Sequence, residues 1–213
     1  MSEKKFISRY LIWAKKKGHR PDVGKAAAIY AMDKDGIPCL PADPIVKQSI
    51  HTNIEALERV GTTLRDILSQ MSGLAKTLPE YDIVRAMGGV GDVLVVKLIA
   101  VIGDIKRFRK VKSLVAYAGI DPLPYSSGKF EGNKRRISKR GSTLLRKIGY
   151  EIMKSLTRNK RPEDGAVYDF IRKKEEEGKA KKQAKIAGLN KFLQIYYARV
   201  KSIYKKTTEG KAA

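Results

Sequence analysis

The chain has little of what staples or metallates small proteins. Among 213 residues there is one cysteine, Cys39, and two histidines, His19 and His51. A single cysteine excludes an intramolecular disulfide and any multi-cysteine zinc site, and the two histidines lack ligand spacing. Long apolar runs are missing as well. The stretch from Val93 to Ile102 is broken by Lys97 and is too short to span a bilayer. Ser8 and Arg9 interrupt the apolar residues near the N-terminus, so no signal-peptide core forms there. These absences describe a soluble, intracellular chain. Acids are scarce too, at 22 Asp and Glu against 45 Lys and Arg, a formal net charge of +23.

What is present is a core and a strong positive field. A hydrophobic fraction of 42% is enough to bury a core, which excludes a wholly disordered basic tail. A folded cationic protein attracts polyanions, and release of counterions from phosphates drives the binding. Nucleic acid is the first partner this implies, a membrane surface the second, and a ribosomal-type structural role the third.

The apolar spacing is helical through most of the chain. Phe6, Ile7, Tyr10, Trp13 and Ala14 predict a helix over residues 4–17, ended by Gly18. A second is expected over Val23–Met32, followed by a turn at Asp33-Lys34-Asp35-Gly36. Pro38, Pro41 and Pro44 read as a linker. Ile50, Ile54, Leu57, Leu64, Leu68 and Met71 then fall in alternating four- and three-residue steps, with Gly61 at the one missing position. That is a heptad seam. It fits a coiled coil that pairs two subunits or spaces two domains, and equally an amphipathic helix packed on its own domain.

Leu78-Pro79-Glu80 breaks that helix. Met87-Gly88-Gly89-Val90-Gly91 follows and opens a Val-rich stretch, which periodicity alone leaves open between helix and buried strand. A Gly-hydrophobic-Gly turn at a helix start is the core of a helix-hairpin-helix, whose backbone N–H groups hold a phosphate without reading sequence. The same glycines also suit a plain interhelical turn. Asp104 is expected to cap the next element, and Gly119 to close the short helices between Ile105 and Ala118. Further helices are expected after Ser142 or Thr143, from Arg161-Pro162-Glu163-Asp164, and over residues 182–204. Tyr197 and Tyr204 suit either the core or base stacking.

Between Pro124 and Lys147 lies the densest chemistry. Tyr125-Ser126-Ser127-Gly128 is followed by Lys129, Lys134, Arg135, Arg136, Lys139, Arg140, Arg146 and Lys147, with Glu131 as the one acid up to Lys147. By residue type alone this is a basic surface loop touching nucleic acid, with its serines as turn formers.

The order of these motifs adds a second reading. Gly89-Val90-Gly91, Ile102-Gly103-Asp104-Ile105, Ala116-Tyr117-Ala118-Gly119-Ile120, the Tyr-Ser-Ser-Gly loop and Ile137-Ser138-Lys139-Arg140-Gly141 together resemble the C-terminal domain of the DEDD-plus-serine insertion-sequence transposases, some of which are guided by a bridge RNA. The resemblance is dense from about 79 to 204. It implies a serine that attacks a DNA phosphodiester to form a covalent phosphoserine. The family's serine stands ten residues before the isoleucine of the Ile-Ser-Lys-Arg-Gly block, which gives Ser127, with Ser126 as the fallback.

The resemblance also implies DNA as partner, a guide RNA as a second one, self-association through residues 50–71, and a prokaryotic, nucleoid-associated location without membrane contact. The expected DNA-binding residues are Gly89, Gly91, Lys129, Lys134, Arg135, Arg136, Lys139, Arg140 and Arg146. In the family an N-terminal ribonuclease-H-like domain carries four metal-binding acids and uses Mg²⁺. Asp22, Asp33, Asp35 and Asp43 do not make such a set, so no metal site is expected in this chain; a truncated form lacking that domain is the expectation, or a partner domain supplied by another chain.

The expected architecture is mainly α. N-terminal helices and a Pro-rich linker occupy 1–44, a coiled-coil-like helix 45–78, and the domain with the helix-hairpin-helix turn and Gly-rich serine loop 79–204. A disordered tail covers 205–213. The alternative function is a non-catalytic nucleic-acid-binding module. A metal-dependent repair nuclease or glycosylase is a third, with Lys97 and Asp104 as its only candidates.

Overall fold

A computed structural model describes residues 1–36, 43–122, 126–127, 130–131, 136–159 and 161–209; for 126–127, 130–131 and 206–209 it describes the backbone alone. The fold is mainly α. The chain divides into two compact units, Met1–Gly61 and Thr62–Ala213.

In the first unit, α1 (Glu3–Lys16) and α2 (Val23–Asp35) pack as a hairpin. Ala14 and Ala26 are wholly buried, one on each helix, and their small side chains allow close approach. Gly18 sits at φ +73 and ends α1. Asp22 caps α2 by accepting from the Lys25 N–H at 2.9 Å. The expected turn at 33–36 is instead the last turn of α2, because Asp and Lys tolerate helical backbone and only Gly36 lies beyond it.

The long helix α3 spans Pro44–Lys76, and the division at Gly61 falls within it. Pro44, expected in a linker, is its first residue. That position needs no N–H, and Asp43 caps the helix by accepting from Val46 N–H at 2.8 Å. Pro38, Cys39 and Pro41 lie outside the described residues.

In the second unit α4 (Tyr81–Arg85), α5 (Asp92–Ile102), a 3₁₀ turn (Ile105–Arg107), α6 (Val111–Ala118), α7 (Thr143–Arg158), α8 (Ala166–Glu176) and α9 (Lys181–Glu209) enclose one core. The Val-rich stretch is helix, not strand, and buries Val95, Val96, Leu98, Ile99 and Ile102. Helix α9 packs against α4, α6, α7, α8 and the 3₁₀ turn, and presents Leu189, Phe192, Leu193, Tyr196 and Val200 to them. Burying each such side chain stabilises the fold by about 1.5–3 kcal/mol before entropy is counted.

Two boundaries differ from expectation. Arg161 does not start α8. Its guanidinium instead holds Asp169 through Nε at 2.7 Å and a second nitrogen at 2.6 Å, and the helix begins at Ala166. Helix α9 continues to Glu209, where a disordered tail was expected from 205, and residues 210–213 lie outside the described residues. Among the described residues no helix is long and apolar enough to cross a membrane.

Candidate nucleic-acid interface

The serine loop leaves the end of α6 and returns to the start of α7, and backbone chemistry fixes its base. Gly119 closes α6 in the left-handed region at φ 64. Three N–H groups of the returning strand then bond to the outgoing one: Ser138 to Asp121 O at 2.8 Å, Lys139 to Gly119 O at 2.9 Å, and Ser142 to Tyr117 O at 2.6 Å. Pro122 and Ile137 form an antiparallel bridge between them. The Ser138 hydroxyl also donates to the Asp121 carboxylate at 2.6 Å. Gly141 is required here, since a Cβ would collide with the carbonyl oxygens of Tyr117 and Ala116.

Above this base, Ser126 and Ser127 form β1, which pairs antiparallel with β2, Phe130–Glu131. The register is Ser126 with Glu131 and Ser127 with Phe130. Gly128, Lys129, Lys134 and Arg135 lie outside the described residues.

The remaining predicted cations divide into two kinds. Arg136, Lys139 and Arg140 are exposed at the base. Lys139 takes φ 56, a left-handed conformation unusual for a residue with a Cβ. Arg146 is half-buried. It donates to Ala118 O at 3.0 Å and to the Thr143 hydroxyl at 3.4 Å, so its guanidinium is tied into the fold beside Gly119.

The glycine turn joins α4 to α5 as the sequence suggests. Gly89 sits at φ +82, and a Cβ there would lie 2.7 Å from Ile152 O and 2.8 Å from Leu156 Cβ. Close packing on α7 therefore requires it. Gly91 opens on empty space and precedes the first residue of α5. Arg85 donates to Asp92 in that first turn at 2.5 Å, and this hydrogen bond, with the guanidinium charge, holds the Asp92 carboxyl below its ordinary range.

A second basic surface, which the sequence suggests as a solvated face toward DNA between the apolar positions, lies at the 3₁₀ turn. Lys106, Arg107, Arg109, Lys110 and Lys112 are all exposed. The Arg107 guanidinium stands 4.6 Å from the Phe108 ring centre and 4.5 Å from that of Tyr117. Tyr117 thus carries Arg107 on its ring while its carbonyl anchors Ser142, so this surface and the loop base share one residue. Asp104 caps the turn by accepting from Lys106 N–H at 2.8 Å.

The tyrosines of α9 are committed within the protein. The Tyr197 hydroxyl donates toward Phe108 O at 2.9 Å and Arg109 O at 3.0 Å. The Tyr204 hydroxyl donates to buried Glu80 at 2.6 Å, and Lys106 lies 5.0 Å from its ring centre. Burial, then that hydrogen bond and carboxylate, push the Tyr204 phenol well above its usual range.

Farther along α7, an open hollow of about 790 Å³ is edged by Lys154, Arg158 and Lys185, with Ser155, Thr157, Asn159 and Glu151 between them. Among the described residues no three of His, Cys, Asp and Glu gather as a metal site. The described residues therefore do not form the four-acid Mg²⁺ set that the resemblance implies for a separate domain.

Comparison with known proteins locates this fold. Residues 81–169 match the model of the IS116/IS110/IS902 transposase family. Residues 81–169 thus carry the transposase domain of that family. Its relatives agree. The chain is 28% identical over 157 residues to a 44.8 kDa protein of insertion element IS116 from Streptomyces clavuligerus, covering 74% of this chain and 37% of that protein. It is 33% identical over 110 residues to a pilin gene-inverting protein of Moraxella lacunata, covering 52% and 33%. It is 28% identical over 119 residues to the transposase of element IS1111A from Coxiella burnetii, covering 54% and 32%. The chain spans about a third of the length of these curated relatives. The matched segment contains the glycine turn, the 3₁₀ turn and the whole serine loop.

Proposed function

We propose that this transposase region binds DNA across its basic loop and takes part in cutting and rejoining it, with Ser127 as nucleophile and Ser126 as its fallback. The observation that carries this reading is the clamped base. The two serines lie on a short strand pairing with residues 130–131, and the base of the loop is fixed by three backbone bonds beside exposed Arg136, Lys139 and Arg140. A nucleophile needs a fixed approach to phosphorus, and cations neutralise charge as the transition state forms.

The step balances. The serine oxygen bonds to phosphorus, the bond to one deoxyribose oxygen breaks, and the serine proton leaves with that oxygen as a hydroxyl. A hydroxyl of another strand reverses the step and restores the serine.

In this reading Lys129, Lys134, Arg135, Arg136, Lys139 and Arg140 hold phosphates, and the turn at Gly89 and Gly91 adds a backbone contact. Arg146 supports the loop from below. A guide RNA is the second polyanion that the basic surfaces suit. The exposed seam of α3, with Ile50, Ile54, Leu57 and Leu64 all half exposed or more, pairs with a second copy.

The test is covalent capture. The chain is incubated with nicked or branched DNA and Mg²⁺, with and without a ribonuclease-H-like domain, and resolved on denaturing gels. An adduct lost in Ser127→Ala and kept in Ser126→Ala supports the assignment. No adduct under any condition, with salt-sensitive binding intact, leaves the non-catalytic binding module.

A further inference from the structure

The hairpin of α1 and α2 carries a second, chemically different surface, outside the segment that the family model matches. Gly18 turns the chain back at the end of α1, and the His19 N–H bonds to Ala14 O at 2.8 Å. That return lays the His19 ring 5.6 Å from the Trp13 ring centre, and the Tyr10 ring lies 5.8 Å from it. Trp13 remains 48% exposed although rings flank it. These rings line a hollow of about 510 Å³ whose rim carries Arg20 and Lys25.

The one acid in that lining, Asp22, is occupied as the cap of α2. Around the hollow, residues 1–25 hold eight Lys and Arg against two acids. An exposed indole flanked by rings and rimmed by cations matches an unpaired base with its phosphate. A base offers a flat π-face, and its backbone offers the opposite charge. Duplex DNA offers the charge but keeps its base faces stacked.

We infer that this hollow is a base-stacking site for single-stranded DNA, with a base against Trp13 and the adjoining phosphates on Arg20 and Lys25. The choice of DNA rests on the recombination reading, since cutting and exchanging strands exposes unpaired DNA. The stacking geometry does not depend on Ser127.

Trp13 is the sole tryptophan of the chain, so its emission reports this site alone. The full chain is titrated with a short oligo-dT while tryptophan fluorescence is followed. Saturable quenching that weakens with salt is expected, and a duplex of equal length gives little. Arg20→Ala and Lys25→Ala, both on the exposed rim, each shift the midpoint several-fold. Trp13→Ala, followed by anisotropy of a labelled oligonucleotide, weakens binding about 5- to 100-fold.

Binding by anisotropy with unchanged emission overturns the proposal, as does quenching indifferent to Arg20 and Lys25. Tighter quenching by oligo-U than by oligo-dT overturns the assignment to DNA. An emission change with protein concentration alone assigns the hollow to a second copy and also overturns it. The readout does not pass through Ser127, so an absent adduct in the trapping assay and an absent quench are separate failures.

Discussion

Helices α3 and α5 are both rich in apolar residues, and they meet opposite fates. In α5, Val95 and Leu98 are wholly buried and Val96 and Ile99 nearly so. In α3, Leu57 is 72% exposed and Leu74 71%, and Ala75 is its only buried residue. The difference teaches what apolar spacing means. A helix that is apolar around most of its circumference is a core element, whereas an apolar stripe along one side can stay largely exposed within a single chain.

The strongest way to break the comparison is to empty one side chain of α5. Leu98→Ala is expected to cost about 2–5 kcal/mol, because the site is fully enclosed and a cavity remains. Urea unfolding followed by circular dichroism measures it. A loss under about 1 kcal/mol would place α5 outside the core it defines here.

The matching change in α3 is expected to leave each chain intact. Leu57→Gln with Leu64→Gln should alter the unfolding midpoint of dilute protein by no more than about 0.5 kcal/mol. At higher concentration the same pair should shift sedimentation toward the single chain. If wild type and variant sediment alike at every concentration, the seam does not pair copies of this chain.

The smallest effect sharpens the comparison through one carboxylate on each helix. Hydrogen bonding to Arg85 and its charge lower Asp92 at the start of α5, and the hydrogen bond from Lys17 with its charge lowers Glu58 on α3. A carboxyl depressed in the folded state contributes stability above its unfolded value and loses it as pH falls through the folded one. Ordinary values are about 3.9 for Asp and 4.3 for Glu, so the loss should begin near pH 5 and finish below pH 4. Both groups are fully exposed, so the contribution is small. Asp92→Asn and Glu58→Gln should each flatten the acid limb of an unfolding-midpoint profile slightly. An unchanged limb in both would mean that neither pair matters in water.

Much of the fold was legible beforehand. The helices of 4–17 and 182–204 and the one that starts after Ser142 or Thr143 follow from apolar spacing, and Gly18 and Gly119 end helices at positive φ because few other residues adopt it cheaply. Ser142 caps α7 through Leu145 N–H at 3.1 Å, one of the two residues expected there. The helical state of 92–102 was not legible, because a buried helix and a buried strand carry the same apolar run. The start of α8 was missed for a different reason: Arg161 found Asp169, and its side chain closes over Gly165 just ahead of the helix.

The candidate site was legible as a stretch and not as an arrangement. Residue order located the serine loop, its cations and the glycine turn. It did not separate Arg146, spent on Ala118 O, from Arg140, exposed at the loop base. It marked Arg107 among the cations of a solvated face, but not its two aromatic partners, one of them ten residues along the chain.

By itself, then, the sequence determined the strong net positive charge, the helical periodicity and the helix ends, since these rest on composition and on backbone preferences acting within a few residues. Tertiary structure alone decided which cations face solvent, why Gly89 and Gly141 have no room for a side chain, and how the loop base is clamped. Each of those depends on a carbonyl, ring or carboxylate brought close by packing rather than by adjacency in the chain.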